Sequence, residues 1–345
     1  MIMIKAAMFD TKPYDRESFE KADAGDIDIT YFDTRLTEDT VGLARGFDVV
    51  IIFVNDSVTA RVIDRLCEYG VKLVALRCAG FNNVDVAAAF GRIHIVRVPS
   101  YSPEAIAEHT MALLLTSVRR IHKAYNRTRE YNFSINGLTG FNLCGKTVGV
   151  IGAGKIGKAF IKICNGFSMR VLAYDKYPDR TLPCEFVELD RLYRESDIIS
   201  LHCPLTEENY RMINEATFST MKKGVVILNT SRGGLINAED LVEAIKSKQV
   251  GAACLDVYEE ESDLFFSDKS GHILRDDILA RLLSMPNVIV TSHQAFLTEE
   301  ALEAIAKTTL SNIRSAIDGD EPDNEVCYRC ANIGQCRKER RGKCF

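Results

Sequence analysis

The chain has 345 residues, a formal net charge of -5 and 46% hydrophobic residues. This length exceeds what one typical domain core needs, so we expect two domains. The mild acidity excludes a strong electrostatic attraction to nucleic acid or anionic lipid, and no apolar run approaches the roughly 18 residues that a membrane span needs. These features favour a cytoplasmic protein that acts on a small molecule.

Short β-rich runs alternate with helical stretches in the first hundred residues. These runs read as strands: IKAAMFD, IDITYFD, DVVIIFV, KLVALRC and IHIVRVP. Such alternation is typical of a parallel sheet covered by helices. A helix start at Ser102-Pro103-Glu104 then predicts one long helix from Pro103 to about residue 125, which carries the chain into a second domain.

Further strand-like runs follow, again separated by helical stretches: TVGVIG, MRVLAYD, DIISLHC, VVILNT, AACLDV and NVIVTS. Six such strands make a complete dinucleotide-binding sheet. The helical segment 298–317 has no strand after it, so we expect it to cross back to the first domain. The predicted fold is α/β with two doubly wound parallel sheets, a discontinuous flavodoxin-like substrate domain (1–101 and 297–326) and a Rossmann domain (102–296).

The composition changes in the segment 327–345, which forms a short Cys-rich tail. Cys327, Cys330, Cys336 and Cys344 lie there among clustered arginines and lysines. Four thiolates could bind Zn²⁺, and the nearby positive charge would help to ionise them. Because the last two cysteines lack C-x-x-C spacing, two disulfides, a redox-responsive cluster and a basic tail without a specific role stay open. No metal is expected in the active site itself.

A glycine-rich loop opens the second domain. Gly152, Gly154 and Gly157 form a G-x-G-x-x-G pattern between the strand TVGVI and a helix, and this context gives the pattern its meaning. The glycines permit a tight turn and close approach of a pyrophosphate, while the helix N-terminus supplies N–H donors. Asp175 ends the next strand, where an acid binds ribose hydroxyls and disfavours a 2′-phosphate. The loop therefore predicts NAD rather than NADP.

Three polar residues follow buried strands of the second domain. Arg232 comes after VVILNT, Glu261 after AACLDV and His293 after NVIVTS. Ligands of parallel α/β sheets bind beyond the carboxyl ends of the strands, so we expect these residues to share one crevice. An arginine can hold a carboxylate through two hydrogen bonds, and a histidine can deliver a proton as hydride arrives. The pattern suits the reduction of a 2-oxo acid.

The residue types alone leave alternatives for two of these positions. A run of acids such as 259–261 is usually a solvated face, so two of the three are expected at the surface. Three other histidines compete with His293 for proton transfer: His109, His122 and His202. His109 and His122 fall in helical stretches, and His202 suits the wall of a cofactor site better.

Several segments together resemble the D-isomer-specific 2-hydroxyacid dehydrogenases: GAGKIG with Asp175, LHCPLTEENY, LNTSRGG, DVYEEESDLFF and HQAFLTEEAL. The resemblance runs in order along nearly the whole chain up to the tail. It implies that Arg232 binds the substrate carboxylate, that His293 donates and accepts the proton and that Glu261 is its paired carboxylate. It also implies fermentative, reversible NADH-dependent reduction of pyruvate to D-lactate by a homodimer built on the cofactor domains.

The resemblance also assigns residues that contact substrate and cofactor. One set would touch the substrate: Cys78, Ala79, Gly80, Phe81 and Tyr101. Within it, the backbone at 78–80 would reach the carboxylate and the two aromatic rings would line the side-chain pocket. A second set would touch the cofactor together with the glycines and Asp175: Lys155, Ile156, Cys203, Pro204, Thr230 and Asp256.

Two other functions stay open. A reductase of bulkier branched or aromatic 2-oxo acids would share the fold and the catalytic residues, because it would differ only in the pocket at Phe81 and Tyr101. An NAD-sensing binding protein, similar to transcriptional corepressors of this fold, would use the basic tail as a partner or nucleic-acid contact. The presence of an acid, a base and an arginine together favours the enzyme.

Overall fold

In the computed structural model the described residues are 3–261, 264–319 and 323–326. The described residues form two compact units, the first built from those up to Ser102 and those from Thr298 onward, and the second from those between Pro103 and Leu297. The Cys-rich tail, with its candidate zinc ligands, lies outside the described residues. Each unit is built on a parallel sheet with helices between its strands, which confirms the predicted α/β fold class.

The first unit contains a five-stranded sheet. Its strands are β1 (Ile4–Met8), β2 (Ile27–Tyr31), β3 (Val49–Ile52), β4 (Leu73–Leu76) and β5 (His94–Val96). Its helices are α1 (Pro13–Ala22), α2 (Ala60–Glu68), α3 (Val86–Ala89) and α11 (Glu299–Ile317). The order β2-β1-β3-β4-β5 is that of a flavodoxin-like sheet. Every residue of β3 and β4 is buried, as expected of parallel strands covered on both faces.

Helix α11 returns the end of the chain to this first sheet. It begins where the Thr298 hydroxyl accepts a hydrogen bond from the backbone N–H of Ala301, with two acids in the first turn. Its apolar face packs against α1 and β4. On its outer side, Arg314 Nε donates to the Asp26 carboxylate at 2.7 Å. The helix predicted at 298–317 therefore belongs to the first unit, where it packs beside α1 on the sheet.

The second unit contains a seven-stranded sheet. Its strands are β6 (Thr147–Ile151), β7 (Arg170–Tyr174), β8 (Glu185–Phe186), β9 (Ile198–Leu201), β10 (Val225–Asn229), β11 (Val250–Leu255) and β12 (Val288–Val290). Its helices are α4 (Pro103–Val118), α5 (Ile121–Arg129), α6 (Lys155–Gly166), α7 (Leu189–Glu195), α8 (Glu215–Thr220), α9 (Ala238–Lys246) and α10 (Asp277–Ser284). The order β12-β11-β10-β9-β6-β7-β8 is the Rossmann order extended by β12. The sequence predicted every strand except β8, a two-residue edge strand.

The prediction of one helix from Pro103 to about residue 125 was wrong. The structure has α4 and α5, and Arg120 between them adopts a left-handed conformation with φ 54°. The loop at Gly140 packs against the end of α4, since a Cβ on Gly140 would lie 2.1 Å from the carbonyl oxygen of Val118. A left-handed residue ends a helix, but neither glycine nor proline marks this position in the sequence.

Three further properties hold for the described part of the chain. None of its helices has the length and apolar character that a membrane crossing requires. No group of three or more His, Cys, Asp or Glu side chains in it is arranged to hold a metal ion. Its cysteines carry free thiols.

Arg77 joins the carboxyl ends of three strands in the first unit. It follows β4, and its side chain is 1% exposed. Arg77 Nη1 lies 3.2 Å from Asp15 Oδ1, and Nη2 donates to the carbonyl oxygen of Asp10 at 2.7 Å. Its guanidinium carbon also lies 4.2 Å from the centroid of the Phe53 ring, which follows β3. These contacts fix the base of the loop that begins at Cys78.

We predict that Arg77→Met lowers the free energy of unfolding of the first unit by about 3–5 kcal/mol, because it leaves Asp15 buried without its partner. Arg92→Met is the matched control. It breaks an exposed ion pair with Asp64, which solvent screens, so its loss should have little effect on stability. Urea denaturation followed by circular dichroism measures both variants. Equal losses in the free energy of unfolding of the two variants would contradict the prediction that the buried ion pair contributes more than the exposed one.

Candidate active site

The glycine-rich loop connects β6 to α6 at the point where the strand order reverses. Gly152 has φ 96°, and a Cβ there would lie 2.6 Å from the backbone nitrogen of Cys203. A Cβ on Gly157 would lie 2.0 Å from the carbonyl oxygen of Gly152. Gly154 instead faces open space at the N-terminus of α6. Packing therefore requires the first and third glycines, and the second leaves room for a phosphate.

Asp175 follows β7 and is held beside this loop. Its Oδ2 accepts a hydrogen bond from the backbone N–H of Ala153 at 2.7 Å, and its Oδ1 accepts one from the backbone N–H of Tyr177 at 2.8 Å. The side chain stays partly exposed. The carboxylate is thus fixed beside the glycine-rich loop, and its contact with a ribose stays a prediction.

The segment after β9 packs against the glycine-rich loop and carries two side chains, His202 and Cys203, that are uncharged near neutral pH. Burial lowers the pKa of His202 to about 3, and its Nε2 lies 2.8 Å from Ser200 Oγ. Burial raises the pKa of the Cys203 thiol to about 11, so this cysteine is not a reactive thiolate. The Ser231 hydroxyl donates to the carbonyl oxygen of Cys203 at 2.6 Å. His202 is therefore unsuited to donate a proton to a substrate.

Arg232 follows β10 on a loop packed against the chain after β11. The Asn229 side-chain amide donates to the carbonyl oxygen of Arg232 at 2.9 Å. A Cβ on Gly233 would lie 2.0 Å from the carbonyl carbon of Tyr258, so the two backbones are in direct contact. The partly buried guanidinium donates to the carbonyl oxygen of Ser231 at 2.7 Å, and no described carboxylate pairs with it. Its charge is available to an anionic ligand.

Glu261 and His293 form a partly buried pair after β11 and β12. Glu261 Oε1 lies 2.8 Å from His293 Nδ1, and the two side chains are 22% and 18% exposed. Glu261 Oε2 accepts a hydrogen bond from the backbone N–H of Tyr258 at 2.9 Å. Because Nδ1 is engaged by the carboxylate, Nε2 is the ring nitrogen left to exchange a proton with a ligand.

Asp256, directly after β11, fixes the loop that carries His293. Its fully buried carboxylate accepts hydrogen bonds from the Thr291 hydroxyl at 2.5 Å and from the backbone N–H groups of Gln294 and Ala295 at 3.0 and 2.9 Å. Its carbonyl oxygen accepts a hydrogen bond from the His293 N–H at 2.7 Å. These bonds hold His293 at φ 54°, a left-handed conformation that residues with a Cβ rarely adopt.

His109 supports this loop from α4. Its Nε2 lies 3.4 Å from Asp256 Oδ1 and 3.3 Å from Thr291 Oγ1. Burial alone would raise the pKa of Asp256, but hydrogen bonds from His109, Thr291 and the loop amides outweigh it and lower that pKa. Asp256 is therefore a stable anion near neutral pH. Sequence reasoning missed this support, because His109 and Asp256 lie far apart in the chain.

The sequence predicted that two of the three acids at 259–261 lie at the surface, and this prediction was wrong for Glu259. Glu260 is exposed, but the Glu259 side chain is only 11% exposed. Glu259 Oε1 accepts hydrogen bonds from the Tyr210 hydroxyl at 2.5 Å and from Arg211 Nε at 2.9 Å. This contact anchors the loop between β11 and Glu261 to a distant segment. Nothing in the run of acids indicated it.

The first unit carries the predicted substrate-binding residues. The loop 78–81 follows β4 and contains four of them. Arg97 Nη1 donates to the carbonyl oxygen of Ala79 at 2.8 Å, and its guanidinium carbon lies 5.2 Å from the centroid of the Phe81 ring. The fifth, Tyr101, follows β5 and is partly buried. Their contacts with a substrate stay predictions.

The remaining predicted cofactor residues lie at the carboxyl edge of the second sheet: Lys155, Ile156, Cys203, Pro204, Thr230 and Asp256. Thr230 is buried, and its hydroxyl lies 2.8 Å from that of Thr110 in α4. Both carboxylate oxygens of Asp256 accept hydrogen bonds from the loop that carries His293. Direct cofactor contacts by all six residues stay predictions.

Comparison with known proteins identifies the family. Residues 111–295 match the family described as "D-isomer specific 2-hydroxyacid dehydrogenase, NAD binding domain". The chain is 53% identical over 329 residues to a 2-hydroxyacid dehydrogenase homolog of Haemophilus influenzae, covering 94% of this chain and 99% of that protein. It is 50% identical over 329 residues to the D-lactate dehydrogenase of Escherichia coli, covering 94% and 100%.

Solved structures agree with this match. The pyruvate reductase of Chlamydomonas reinhardtii has a TM-score of 0.89 at 41% identity, covering 93% of this chain and 98% of that one. Sequence and fold therefore lead to the same assignment. The chain belongs to the D-isomer specific 2-hydroxyacid dehydrogenase family and is an NAD-dependent D-2-hydroxyacid dehydrogenase.

Proposed function

We propose that this protein reduces pyruvate to D-lactate with NADH, in a reversible reaction. The observation that carries the proposal is Arg232, a guanidinium without a described carboxylate partner, at the same sheet edge as the pair of Glu261 and His293. These groups can bind the carboxylate of a 2-oxo acid and deliver a proton to its carbonyl oxygen. Similarity to a D-lactate dehydrogenase and to a pyruvate reductase supports pyruvate as the substrate.

The residues around the glycine loop fit NAD. The open space at Gly154 and the N-terminus of α6 would take the pyrophosphate, with Lys155 and Ile156 beside it. Asp175 would bind the adenine-side ribose. Bound NADH supplies a hydride to the keto carbon of the substrate.

Arg232 would bind and orient the substrate. A guanidinium can hold a carboxylate through two parallel hydrogen bonds, which fixes the keto carbon relative to the cofactor. The contact of Gly233 with the backbone of Tyr258 limits movement of the loop. A lysine could not replace this arginine, because an ammonium group does not offer the same planar pair of donors.

His293 would donate the proton that completes the reduction. As hydride reaches the keto carbon, the carbonyl oxygen gains negative charge and takes a proton from Nε2. Glu261 holds the ring through Nδ1, which leaves Nε2 as the nitrogen that makes the transfer. In the direction of oxidation, neutral His293 would accept the proton from the hydroxyl group.

Two competing functions are less well supported. A reductase of bulkier 2-oxo acids would use the same residues, so only the pocket assigned to Phe81 and Tyr101 separates it from the proposal. An NAD-sensing binding protein needs neither an arginine free for a carboxylate nor a paired histidine. The oriented pair of Glu261 and His293 therefore favours catalysis.

We predict that the purified protein consumes NADH with pyruvate and prefers it to phenylpyruvate by at least about tenfold in kcat/KM. NADPH should be used at least about tenfold less efficiently, because Asp175 repels a 2′-phosphate. A substrate panel, with chiral analysis of the product for D-lactate, measures these preferences. A preference for phenylpyruvate would support a reductase of bulkier 2-oxo acids. NADH that stays unconsumed with every 2-oxo acid would refute the proposed enzymatic activity.

We predict that His293→Gln lowers kcat by about 10²- to 10⁴-fold, because glutamine cannot donate the proton. Glu261→Gln keeps an acceptor for Nδ1 but removes the charge, so its loss of kcat should be smaller, about 10- to 100-fold. Isothermal titration calorimetry with NADH should show unchanged cofactor binding in both. The exposed neighbour variant Glu260→Gln is the control and should match the wild type. An His293→Gln enzyme with wild-type kcat would exclude His293 as the donor.

We also propose that the protein is a homodimer joined through an exposed apolar segment after α5. Tyr131, Phe133 and Ile135 are 85%, 73% and 80% exposed. The segment is nevertheless held in place, since Arg127 Nη1 donates to the carbonyl oxygen of Asn136 at 2.8 Å. An ordered apolar surface of this kind is typical of a protein–protein interface. Its place in the NAD-binding unit agrees with the dimer that the family resemblance implies.

We predict that the wild-type protein sediments at twice its chain mass of 38.5 kDa and that the double substitution Phe133→Asp and Ile135→Asp yields a monomer. Burying two carboxylates in an apolar interface is strongly unfavourable. Ile273→Asp is the matched control, because Ile273 is 90% exposed elsewhere in the same unit. Analytical ultracentrifugation distinguishes the species. A monomeric wild type, or a double variant that stays dimeric, would contradict this interface.

A further inference from the structure

Phe266 lies against the imidazole ring of His293. The ring centroids are 5.8 Å apart, and the ring planes are inclined by 38°. Glu261 contacts the same imidazole at Nδ1. The imidazole therefore has a carboxylate at one ring nitrogen and a tilted aromatic ring packed beside it. Both contacts come from the chain that follows β11.

Hydrogen bonds and packing hold the residues next to Phe266 in place. The N–H groups of Leu264 and Phe265 both donate to the carbonyl oxygen of Glu261, at 3.0 and 2.9 Å. Phe265 is only 7% exposed and anchors the segment 264–266 in the core of the unit. Phe266 itself has φ 63°, a left-handed conformation that is unusual for a bulky residue and costs conformational energy. An outlier of this kind needs contacts that hold it in place.

The aromatic contact supplies a restraint that the carboxylate cannot supply alone. One hydrogen bond restrains the position of Nδ1, but the tilt of the imidazole can still change through small rotations about χ1 and χ2 of His293. The Phe266 ring packed beside the imidazole opposes this change, because tilting drives one ring into the other. Proton transfer is sensitive to such rotation, because Nε2 must point at the accepting oxygen.

We propose that Phe266 is a positioning residue for proton transfer by His293: its ring holds the imidazole in the orientation that Glu261 sets and keeps water from one face. This inference rests on the proposed function. Phe266 acts through His293, so its loss should slow the proton-transfer step. The binding of substrate by Arg232 and of cofactor by the glycine loop should be unaffected.

The test compares kcat, KM for pyruvate and the solvent deuterium isotope effect among Phe266 variants. Phe266→Ala should lower kcat about 10- to 100-fold, leave KM within about threefold and raise the isotope effect, because proton transfer then limits the rate. Phe266→Tyr keeps the ring and should retain kcat within about twofold. An alanine variant with wild-type kcat and isotope effect would overturn the inference. Phe266→Leu, which lacks a flat ring, gives the same test if the alanine variant is poorly folded.

Phe266→Gly distinguishes the effect of the ring from the effect of backbone strain. Glycine adopts a left-handed conformation without strain, so this variant removes the ring and the strain at residue 266 together. A loss of kcat equal to that of the alanine variant supports the ring as the cause. Recovery of wild-type kcat in the glycine variant would overturn the inference, because backbone strain would then explain the alanine effect.

Phe265→Leu is the control for general damage to the segment 264–266. Phe265 packs in the core, so this variant should lower the melting temperature and leave the isotope effect unchanged. An isotope effect raised as in Phe266→Ala would overturn the specific role. Turnover of 2-oxo acids by the wild type is measured first. An inactive wild type refutes the proposed function and this inference together, whereas an active wild type with an unaffected alanine variant refutes this inference alone.

Discussion

The buried carboxylate of Asp256 is the constraint on which the candidate site depends. It has no exposed surface, and it receives hydrogen bonds from a side chain and two backbone N–H groups of the loop after β12. A buried carboxylate without such donors would be strongly unfavourable. The loop is therefore pinned, and His293 stays in a left-handed conformation that would otherwise be uncommon. The contact between His293 and Glu261 follows from this placement.

The other site elements are also fixed by short contacts between adjacent strand ends. The loop of Arg232 is held because Gly233 leaves no space for a side chain against the backbone after β11. Glu261 uses one carboxylate oxygen for the backbone and the other for His293, so it links two loops. Parallel strands bring these loops to one edge of the sheet. The side chains there are held in fixed relative positions, as a hydride and proton transfer requires.

Much of the fold was predictable because buried parallel strands are continuous apolar runs that glycines and short polar segments interrupt. The position of Arg232 after such a run predicted its place at the sheet edge. Contacts between distant segments were not predictable. Arg120 ends a helix without a glycine or proline, and Glu259 is largely covered where Tyr210 and Arg211 reach it from elsewhere in the chain. The loop-fixing role of Asp256 likewise depends on partners that no local pattern indicates.

A crystal structure of the protein with NADH and oxamate, an unreactive analogue of pyruvate, tests the central claim most directly. We predict that both carboxylate oxygens of oxamate lie within hydrogen-bonding distance of the Arg232 guanidinium. We also predict that the oxygen in place of the keto group lies about 2.6–3.2 Å from His293 Nε2, while Nδ1 stays on Glu261. Oxamate bound away from Arg232, or His293 Nε2 directed away from the ligand, would contradict these roles.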